Sequence, residues 1–186
     1  MNLLEKKSMR STTILAVRRN GQIAIGGDGQ VTLGNTAIKH SARKIRKIYQ
    51  DRVLIGFAGS TSDALTLYEN LEKKLEQYRG NLQKASVELA RDWRSDRILR
   101  RADALMIAIN ENDSYLISGN GDLIIPDDDI LAIGSGGSIA LSASRALLKY
   151  SKLTASEVVA EALKITSEIC IYTNSQIEIE SIETEE

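Results

Sequence analysis

The amino-acid sequence predicts an α+β protein whose helices and sheets stack in four layers, as an αββα sandwich. Short runs of β-branched and apolar residues, typical of strands, come in groups along the chain. Between these groups lie longer segments whose apolar residues recur every three or four positions, typical of helices. The helical segments come in pairs, whereas a doubly wound parallel sheet needs a helix after each strand. Paired helices therefore favour two sheets, each covered by one helix pair.

The first strands lie close to the N-terminus. Residues 12–17 form a β-branched and apolar run, and the dipeptide Asn20-Gly21 that follows is a common signal for a two-residue hairpin turn. The returning strand covers residues 23–25, and we expect the glycine-rich segment 26–29 to end it. Further strands are predicted at residues 31–33, 53–57, 104–109, 115–118, 123–125, 130–133 and 177–182.

Four segments have the apolar spacing of amphipathic helices. Ser60 with Asp63 resembles a capping box at the start of the first helix, and Gly80 suits its end. Thr154 with Glu157 forms a second such box at the start of the fourth helix. The helices are predicted at residues 60–78, 81–100, 138–150 and 154–169.

Composition and charge fit one globular domain in the cytoplasm. A chain of 186 residues, 42% apolar and 26% charged, can bury a core without disulfides or metals. The formal net charge of −1 predicts binding neither to nucleic acid nor to a membrane. Cys170 is the only cysteine, so no disulfide can form within the chain, which fits a reducing compartment. No apolar run has transmembrane length, and charges at residues 5–7 interrupt any signal peptide.

The reactive side chains exclude several kinds of site. His40 is the only histidine, so a zinc site with several histidines is impossible. A Ser-His-Asp triad would need His40, which lies in the basic stretch 39–47, where a solvated surface residue is expected. Nucleic-acid binding is a weaker interpretation of this stretch, because acidic residues elsewhere balance its charge. A hydrolase of this composition therefore needs a different base.

Three glycine-rich segments could present functional groups, at residues 26–30, 119–122 and 134–137. None matches a phosphate-binding motif of the P-loop or dinucleotide type. Segment 119–122 is best interpreted as a tight turn. The other two place an acid or a hydroxyl among glycines at the end of an apolar strand, where a ligand can reach it.

These segments belong to a longer pattern, which also includes Thr12-Thr13 at the head of the first strand. The chain resembles the HslV family of peptidase subunits and, more distantly, proteasome β-subunits. The resemblance covers residues 12–182, and the family fold is the αββα sandwich of N-terminal-nucleophile hydrolases, in agreement with the order of elements. The motifs that carry it are TTILAVRRNG, GDGQVTLGN, KIRKIY, GFAGSTSDALTLYE, VELARDWRSDRILR, SGNGD, AIGSGG and ICIYTN.

The resemblance implies a set of catalytic residues. Thr12 is the expected nucleophile, with its own freed α-amine as the base. Lys44 matches the family lysine beside the nucleophile, and Asp28 matches the acid that orients this lysine. Ser135 matches a hydroxyl near the nucleophile. Gly56 matches the residue whose backbone N–H stabilises the oxyanion, with close packing as the alternative explanation of this glycine.

The resemblance also implies a sodium ion held by backbone carbonyls. Ser167, Cys170 and Thr173 fall at the family's ligand positions. Ser167 is a departure, because the family commonly has glycine there. Carbonyl ligation tolerates a changed side chain, provided that the backbone angles suit serine. Cys170 itself is best interpreted as a small buried residue.

Residues 1–11 are expected to be removed, which leaves residues 12–186 as a single HslV-like peptidase domain. An amine locked in a peptide bond has no basicity, so Thr12 needs a free N-terminus. Many family members have the threonine directly after the initiator methionine. Here, even if translation began at Met9, Arg10 and Ser11 would still block the amine. Removal is therefore expected by autocatalysis or by another protease.

The expected assembly is a double-ring dodecamer that degrades protein substrates. A hexameric AAA+ ATPase of the HslU type is the implied partner, because the chain has no nucleotide-binding motif of its own. Two other functions stay open at this point. The chain could be a catalytically inactive ring subunit of the same fold, or another N-terminal-nucleophile hydrolase that acts on small amides.

Overall fold

The computed structural model describes residues 9–10, 12–59, 61–96 and 104–184. Its helices are α1 (Thr61–Gln77), α2 (Leu82–Ser95), α3 (Gly137–Tyr150) and α4 (Ala155–Ile169). Its strands are β1 (Met9–Arg10), β2 (Thr13–Arg19), β3 (Gln22–Asp28), β4 (Val31–Leu33), β5 (Thr36–Lys39), β6 (Ile45–Ile48), β7 (Val53–Ala58), β8 (Leu105–Ile109), β9 (Ser114–Ser118), β10 (Leu123–Ile124), β11 (Ile130–Gly134) and β12 (Ile177–Glu183).

Two antiparallel sheets form the middle of the molecule. One has the strand order β11-β2-β3-β12 and the other β10-β9-β8-β7-β6. Helices α3 and α4 pack on the first sheet, and α1 and α2 pack on the second. The four-layer αββα sandwich predicted from the paired helices is therefore confirmed.

The core has three apolar layers, and β2 contributes to two of them. Ile14 points between the two sheets, whereas Leu15 points toward α3 and α4. Because successive strand residues face opposite sides, a strand with helices on one face and a sheet on the other is apolar at every position. The third layer, between the second sheet and α1 and α2, contains the buried Trp93.

Several local signals in the sequence are confirmed. Asn20 and Gly21 both have positive φ, 48° and 71°, as a tight hairpin turn requires. Thr154 and Glu157 form the predicted capping box of α4. Gly80 has φ 82°, and its N–H donates to the Leu75 carbonyl, which ends the α1 segment.

Segment 119–122 forms the expected tight turn, with Gly121 at φ 83°. Ser60, the side chain of Asp63 and residues 97–100 of the second predicted helix lie outside the described residues. None of the helices in the described ranges is long and apolar enough to cross a membrane.

Segment 26–29 contains the end of the strand, as expected, but the strand extends further into it than predicted. Strand β3 continues through Gly26 and Gly27 to Asp28. A Cβ on Gly26 would lie 2.4 Å from Val159 Cγ1 of α4, and a Cβ on Gly27 would lie 2.6 Å from Ile14 Cδ1. These glycines therefore allow neighbouring layers to approach closely, which the sequence does not distinguish from a turn.

The basic segment between the predicted strands 31–33 and 53–57 also contains regular structure. It forms β5 and β6, and β5 joins β1 and β4 in a separate three-stranded sheet. Strand β5 is exposed along its length, so it lacks the alternation of apolar and polar residues that identifies a strand. Strand β6 is anchored only by Ile45 and Ile48.

The contact between Gly26 and α4 makes a testable prediction. Gly26→Ala should lower the free energy of unfolding by about 1–3 kcal/mol, because the added methyl overlaps Val159 and Leu163. Gly137→Ala is the control, because a Cβ at this position would lie 3.4 Å or more from its nearest neighbours. Gly137 is in the first turn of α3, where alanine is well tolerated. Urea unfolding at one fixed protein concentration measures both, and equal stability of the two variants would contradict the packing argument.

Candidate active site

Thr12 lies directly before β2, at the wall of a cavity. Its side chain is buried, with the residue 3% exposed. The backbone carbonyl of Thr12 accepts a hydrogen bond from Ser135 N–H at 3.0 Å, which fixes it against the loop before α3. The cavity has a volume of about 210 Å³ and is lined by Thr12, Val31, Arg43, Lys44, Arg46, Phe57, Gly59, Ala64, Leu65 and Tyr68.

A buried ion pair lies at this cavity. Lys44 Nζ is 3.1 Å from Asp28 Oδ1 and 2.5 Å from the Gln30 carbonyl oxygen. Asp28 Oδ1 also accepts the backbone N–H of Thr13 at 2.8 Å, and Oδ2 accepts that of Gln30 at 2.9 Å. Asp28 thus connects the lysine directly to the residue that follows Thr12. Sequence resemblance placed Thr12, Asp28 and Lys44 in one site, and the structure brings them together.

Two features of the environment shift the pKa of Lys44 in opposite directions. Burial lowers the pKa of Lys44 below its ordinary value, because a charged ammonium is poorly solvated there. The Asp28 carboxylate counteracts part of this shift by attraction and hydrogen bonding. Lys44 is therefore held at a fixed position in the wall of the cavity that Thr12 also lines, where a positive charge can stabilise negative charge that develops on Thr12.

The start of β2 is held by a second group of contacts, which the sequence did not indicate. The hydroxyls of Thr13 and Thr173 are 2.6 Å apart, and Gly136 N–H donates to Thr13 Oγ1 at 3.0 Å. A Cβ on Gly136 would lie 2.4 Å from Thr13 Oγ1. Because Thr173 and Gly136 are distant from Thr13 along the chain, no spacing rule could reveal the group.

The two glycines near the end of β7 have different positions. Gly56 lies within the sheet, paired with both β6 and β8, and a Cβ there would be 2.5 Å from Ile14 Cγ2. Its place therefore matches the close-packing explanation, and it does not line the cavity. Gly59, just after the strand, lines the cavity with Thr12 and has φ 144°. Sequence resemblance did not single out Gly59.

Ser135 is exposed, and its backbone N–H donates a hydrogen bond to the Thr12 carbonyl.

The residues expected to bind sodium lie at and after the C-terminus of α4. Ser167 is in the last turn of the helix, where carbonyls lack helical partners and the helix dipole favours a cation. Ser167 Oγ donates back to the Lys164 carbonyl at 2.7 Å. Cys170 is buried, as expected, and its carbonyl accepts Thr173 N–H at 3.0 Å.

No cluster of three or more His, Cys, Asp or Glu side chains within the described ranges could hold a metal. The ligand set that the resemblance implies for sodium consists of backbone carbonyls instead. The C-terminal end of α4 offers such carbonyls, so the residues present fit a hard monovalent ion of this kind.

The chain is similar to known proteins over nearly its whole length. The family model of proteasome subunits matches residues 8–182. The ATP-dependent protease subunit HslV of Aquifex aeolicus is 60% identical over 174 residues, covering 94% of this chain and 99% of that protein. The subunit of the same name from Syntrophobacter fumaroxidans is 52% identical, with 94% and 97% covered.

Solved structures agree with these relatives. Eukaryotic HslV from Trypanosoma brucei has a TM-score of 0.87 and 43% identity, covering 92% of this chain and 99% of that one. Thiobacillus denitrificans BPH has a TM-score of 0.71 and 16% identity, covering 93% and 98%, and this similarity shows the fold alone. The chain therefore belongs to the proteasome-subunit family and, within it, to the HslV peptidases, the proteolytic core of a two-component ATP-dependent protease.

Proposed function

We propose that this chain is a threonine endopeptidase with the Thr12 hydroxyl as its nucleophile. The observation that carries the proposal is that Thr12 and Lys44 line one cavity, and that Lys44 forms an ion pair with the buried Asp28. Asp28 itself has no exposed side-chain surface, so its role is to fix the lysine and the Thr13 backbone. This arrangement favours an oxygen nucleophile at Thr12 without any contribution from a histidine.

The α-amine of Thr12, once free, is the proposed base. An α-amine has a reference pKa of about 7.7–8.0, so a useful fraction is neutral near neutral pH, and the charge of Lys44 increases that fraction. The amine takes the proton from Thr12 Oγ1 as this oxygen attacks the peptide carbonyl. It then gives a proton to the leaving amine, so that an ester to Thr12 remains. Water hydrolyses the ester in the same way and releases the acyl product.

The oxyanion that forms during attack needs hydrogen-bond donors in the cavity. The backbone N–H of Gly59 is the proposed donor, because Gly59 lines the cavity and Gly56 does not. Lys44 supplies the nearby positive charge. The apolar side chains Phe57 and Leu65 on the same cavity wall would contact the substrate.

Removal of residues 1–11 is proposed to occur by attack of Thr12 on the preceding carbonyl. Thr12 has φ 145°, a value that is strained for a β-branched residue. This torsion exists only while the Thr12 nitrogen is bonded to residue 11, so cleavage relieves the strain and frees the amine. Met9 and Arg10 of strand β1 also pair with β4, whose Val31 lines the cavity. Residues 12–186 would then remain as the mature domain.

Sodium is the proposed ion for the carbonyls of Ser167, Cys170 and Thr173. It would stiffen the turn after α4, and this turn carries the Thr173 hydroxyl that contacts Thr13. The ion is proposed as a structural group, and the chemical steps use the residues at the cavity.

An HslU-type hexameric AAA+ ATPase is the proposed partner of a double-ring dodecamer in the cytoplasm. The curated HslV relatives are named as subunits of an ATP-dependent protease, whereas this sequence has no phosphate-binding motif. ATP must therefore be used by another chain. A separate unfolding machine also fits a peptidase that acts inside a closed chamber on extended protein substrates.

The nucleophile is tested by Thr12→Ala, with Thr12→Ser as the matched control. Thr12→Ala should lower peptide hydrolysis on the order of a thousandfold or more, because no hydroxyl remains to form the ester. Its intact mass should still include residues 1–11, whereas wild type and Thr12→Ser should lose them. Active wild-type protein that retained Ser11 would refute a base at the Thr12 amine.

The position of the positive charge is tested by Lys44→Arg. The variant should lose roughly a hundredfold in kcat, because a planar guanidinium cannot replace the compact ammonium between Asp28 and Gln30. Lys47→Arg is the control, since Lys47 lies on the next strand and contacts Glu180 and Ser181. If both variants hydrolysed peptides like wild type, a positional role for Lys44 would be untenable.

The need for a partner is tested with one folded substrate and its unfolded form. The chain alone should leave the folded protein intact, and degradation should begin when an HslU-type ATPase and ATP are added together. ADP in place of ATP is the control, because it keeps the partner but removes the energy for unfolding. Gel electrophoresis measures the loss of the substrate band. Efficient degradation of the folded substrate by this chain alone would contradict the proposal.

A further inference from the structure

Tyr68 connects helix α1 to the backbone of the proposed catalytic lysine. It is 6% exposed and lines the cavity beside Thr12. Its hydroxyl donates a hydrogen bond to the Lys44 carbonyl oxygen, with 3.0 Å between the two oxygens. The same carbonyl accepts the backbone N–H of Phe57 at 3.1 Å. Helix α1 and strand β7 therefore hold Lys44 from two directions.

The ring of Tyr68 is itself fixed by its neighbours. Phe57 meets it edge-to-face, with 6.2 Å between ring centroids and 81° between ring planes. The Arg46 guanidinium lies over the ring, 5.4 Å from its centroid. Burial raises the pKa of Tyr68 above its ordinary value, so the hydroxyl stays protonated and remains a donor. A rigid donor of this kind can define where the accepting carbonyl lies.

Lys44 needs such a constraint because of where it lies in the chain. It ends segment 41–44, which has no regular secondary structure, and β6 begins at the next residue. A lysine side chain has four flexible carbons, so the location of Nζ depends on the location of the backbone. Asp28 and Gln30 hold Nζ itself, but they contact only the end of the Lys44 side chain and leave its backbone unconstrained.

We propose that Tyr68 is a positioning residue for peptide hydrolysis, whose hydroxyl fixes the Lys44 backbone so that the ammonium faces Thr12. The inference rests on the proposed function, since it assumes that Lys44 assists Thr12. It adds a residue from α1 that acts through Lys44. Small displacements of a catalytic group lower the rate of the chemical step much more than they lower substrate binding.

Tyr68→Phe tests the proposal, with Tyr115→Phe as the matched control. Both changes delete one hydroxyl from a buried tyrosine and one hydrogen bond, since Tyr115 is 2% exposed and donates to Asp113 at 3.1 Å. Tyr115 lies on β9 and does not line the cavity. The two variants should therefore lose similar stability, while only one affects the lysine.

The measurements are kcat and KM for a small peptide, the thermal midpoint, and the fraction of chains labelled by a peptide vinyl sulfone, counted by intact mass. Tyr68→Phe should lower kcat roughly tenfold, keep KM within about twofold and leave the labelled fraction at the wild-type value. Tyr115→Phe should keep the wild-type kcat. Assays with and without an HslU-type ATPase should show the same ratio between the two variants.

Three outcomes would overturn the proposal. Tyr68→Phe could match Tyr115→Phe in kcat, or raise KM with kcat unchanged, as a simple cavity wall would. It could also lower the fraction of chains that the vinyl sulfone can label, while kcat divided by that fraction stays at the wild-type value. This is the result expected if the variant only loses folded protein. Activity of Thr12→Ala decides the proposed function separately, so an inactive Thr12→Ala with a fully active Tyr68→Phe would remove this inference alone.

Discussion

The buried pair of Asp28 and Lys44 is the interaction on which the site depends. An isolated charge at either position would be poorly solvated, so each group requires the other. Asp28 has further hydrogen bonds from the backbone N–H groups of Thr13, Gln30 and Asn174. These donors come from β2, the segment between β3 and β4, and the turn after α4. The carboxylate therefore joins three parts of the chain at one point and sets their distances from Lys44.

Close packing between the two sheets gives the nucleophile its second constraint. Ile14, two residues after Thr12, fills a slot between Gly27 of β3 and Gly56 of β7. A methyl group at either glycine would displace the Ile14 side chain and, with it, the start of β2. The apolar core and the polar network thus act on the same strand, and together they fix the threonine at its end.

The sequence was sufficient where patterns are long or repeated. Paired helical segments predicted the four layers, and the ordered motifs predicted a site at Thr12 with Lys44 and Asp28, of which Lys44 lines the same cavity as Thr12 and pairs with Asp28. Strand β5 could not be predicted, because it is short and exposed along its length and its pairing with β4 is a tertiary contact. The strand at Gly26 and Gly27 was missed because glycine marks both turns and close approaches.

Within the site, sequence failed where function depends on contacts between distant segments. The resemblance named Gly56 alone, whereas Gly59, which follows β7, is the glycine that lines the cavity with Thr12. The contacts of Thr173 with Thr13 and of Tyr68 with Lys44 join an ordinary hydroxyl to a partner on another element. Neither residue type indicates such a role by itself, so these contacts become visible only in the folded chain.

Stability alone does not explain a buried lysine and aspartate in this core. Replacing such a pair by well-packed apolar residues is often neutral or stabilising, so a subunit with a purely structural role would have no need to keep it. Here Lys44 lines a cavity that Thr12 also lines, and four further hydrogen bonds join the pair to the backbone: three N–H groups donate to Asp28, and Lys44 donates to the Gln30 carbonyl. A buried lysine whose pKa is lowered, at the wall of a cavity, is typical of catalytic sites. The electrostatics therefore favour an active peptidase over an inactive ring subunit of the same fold.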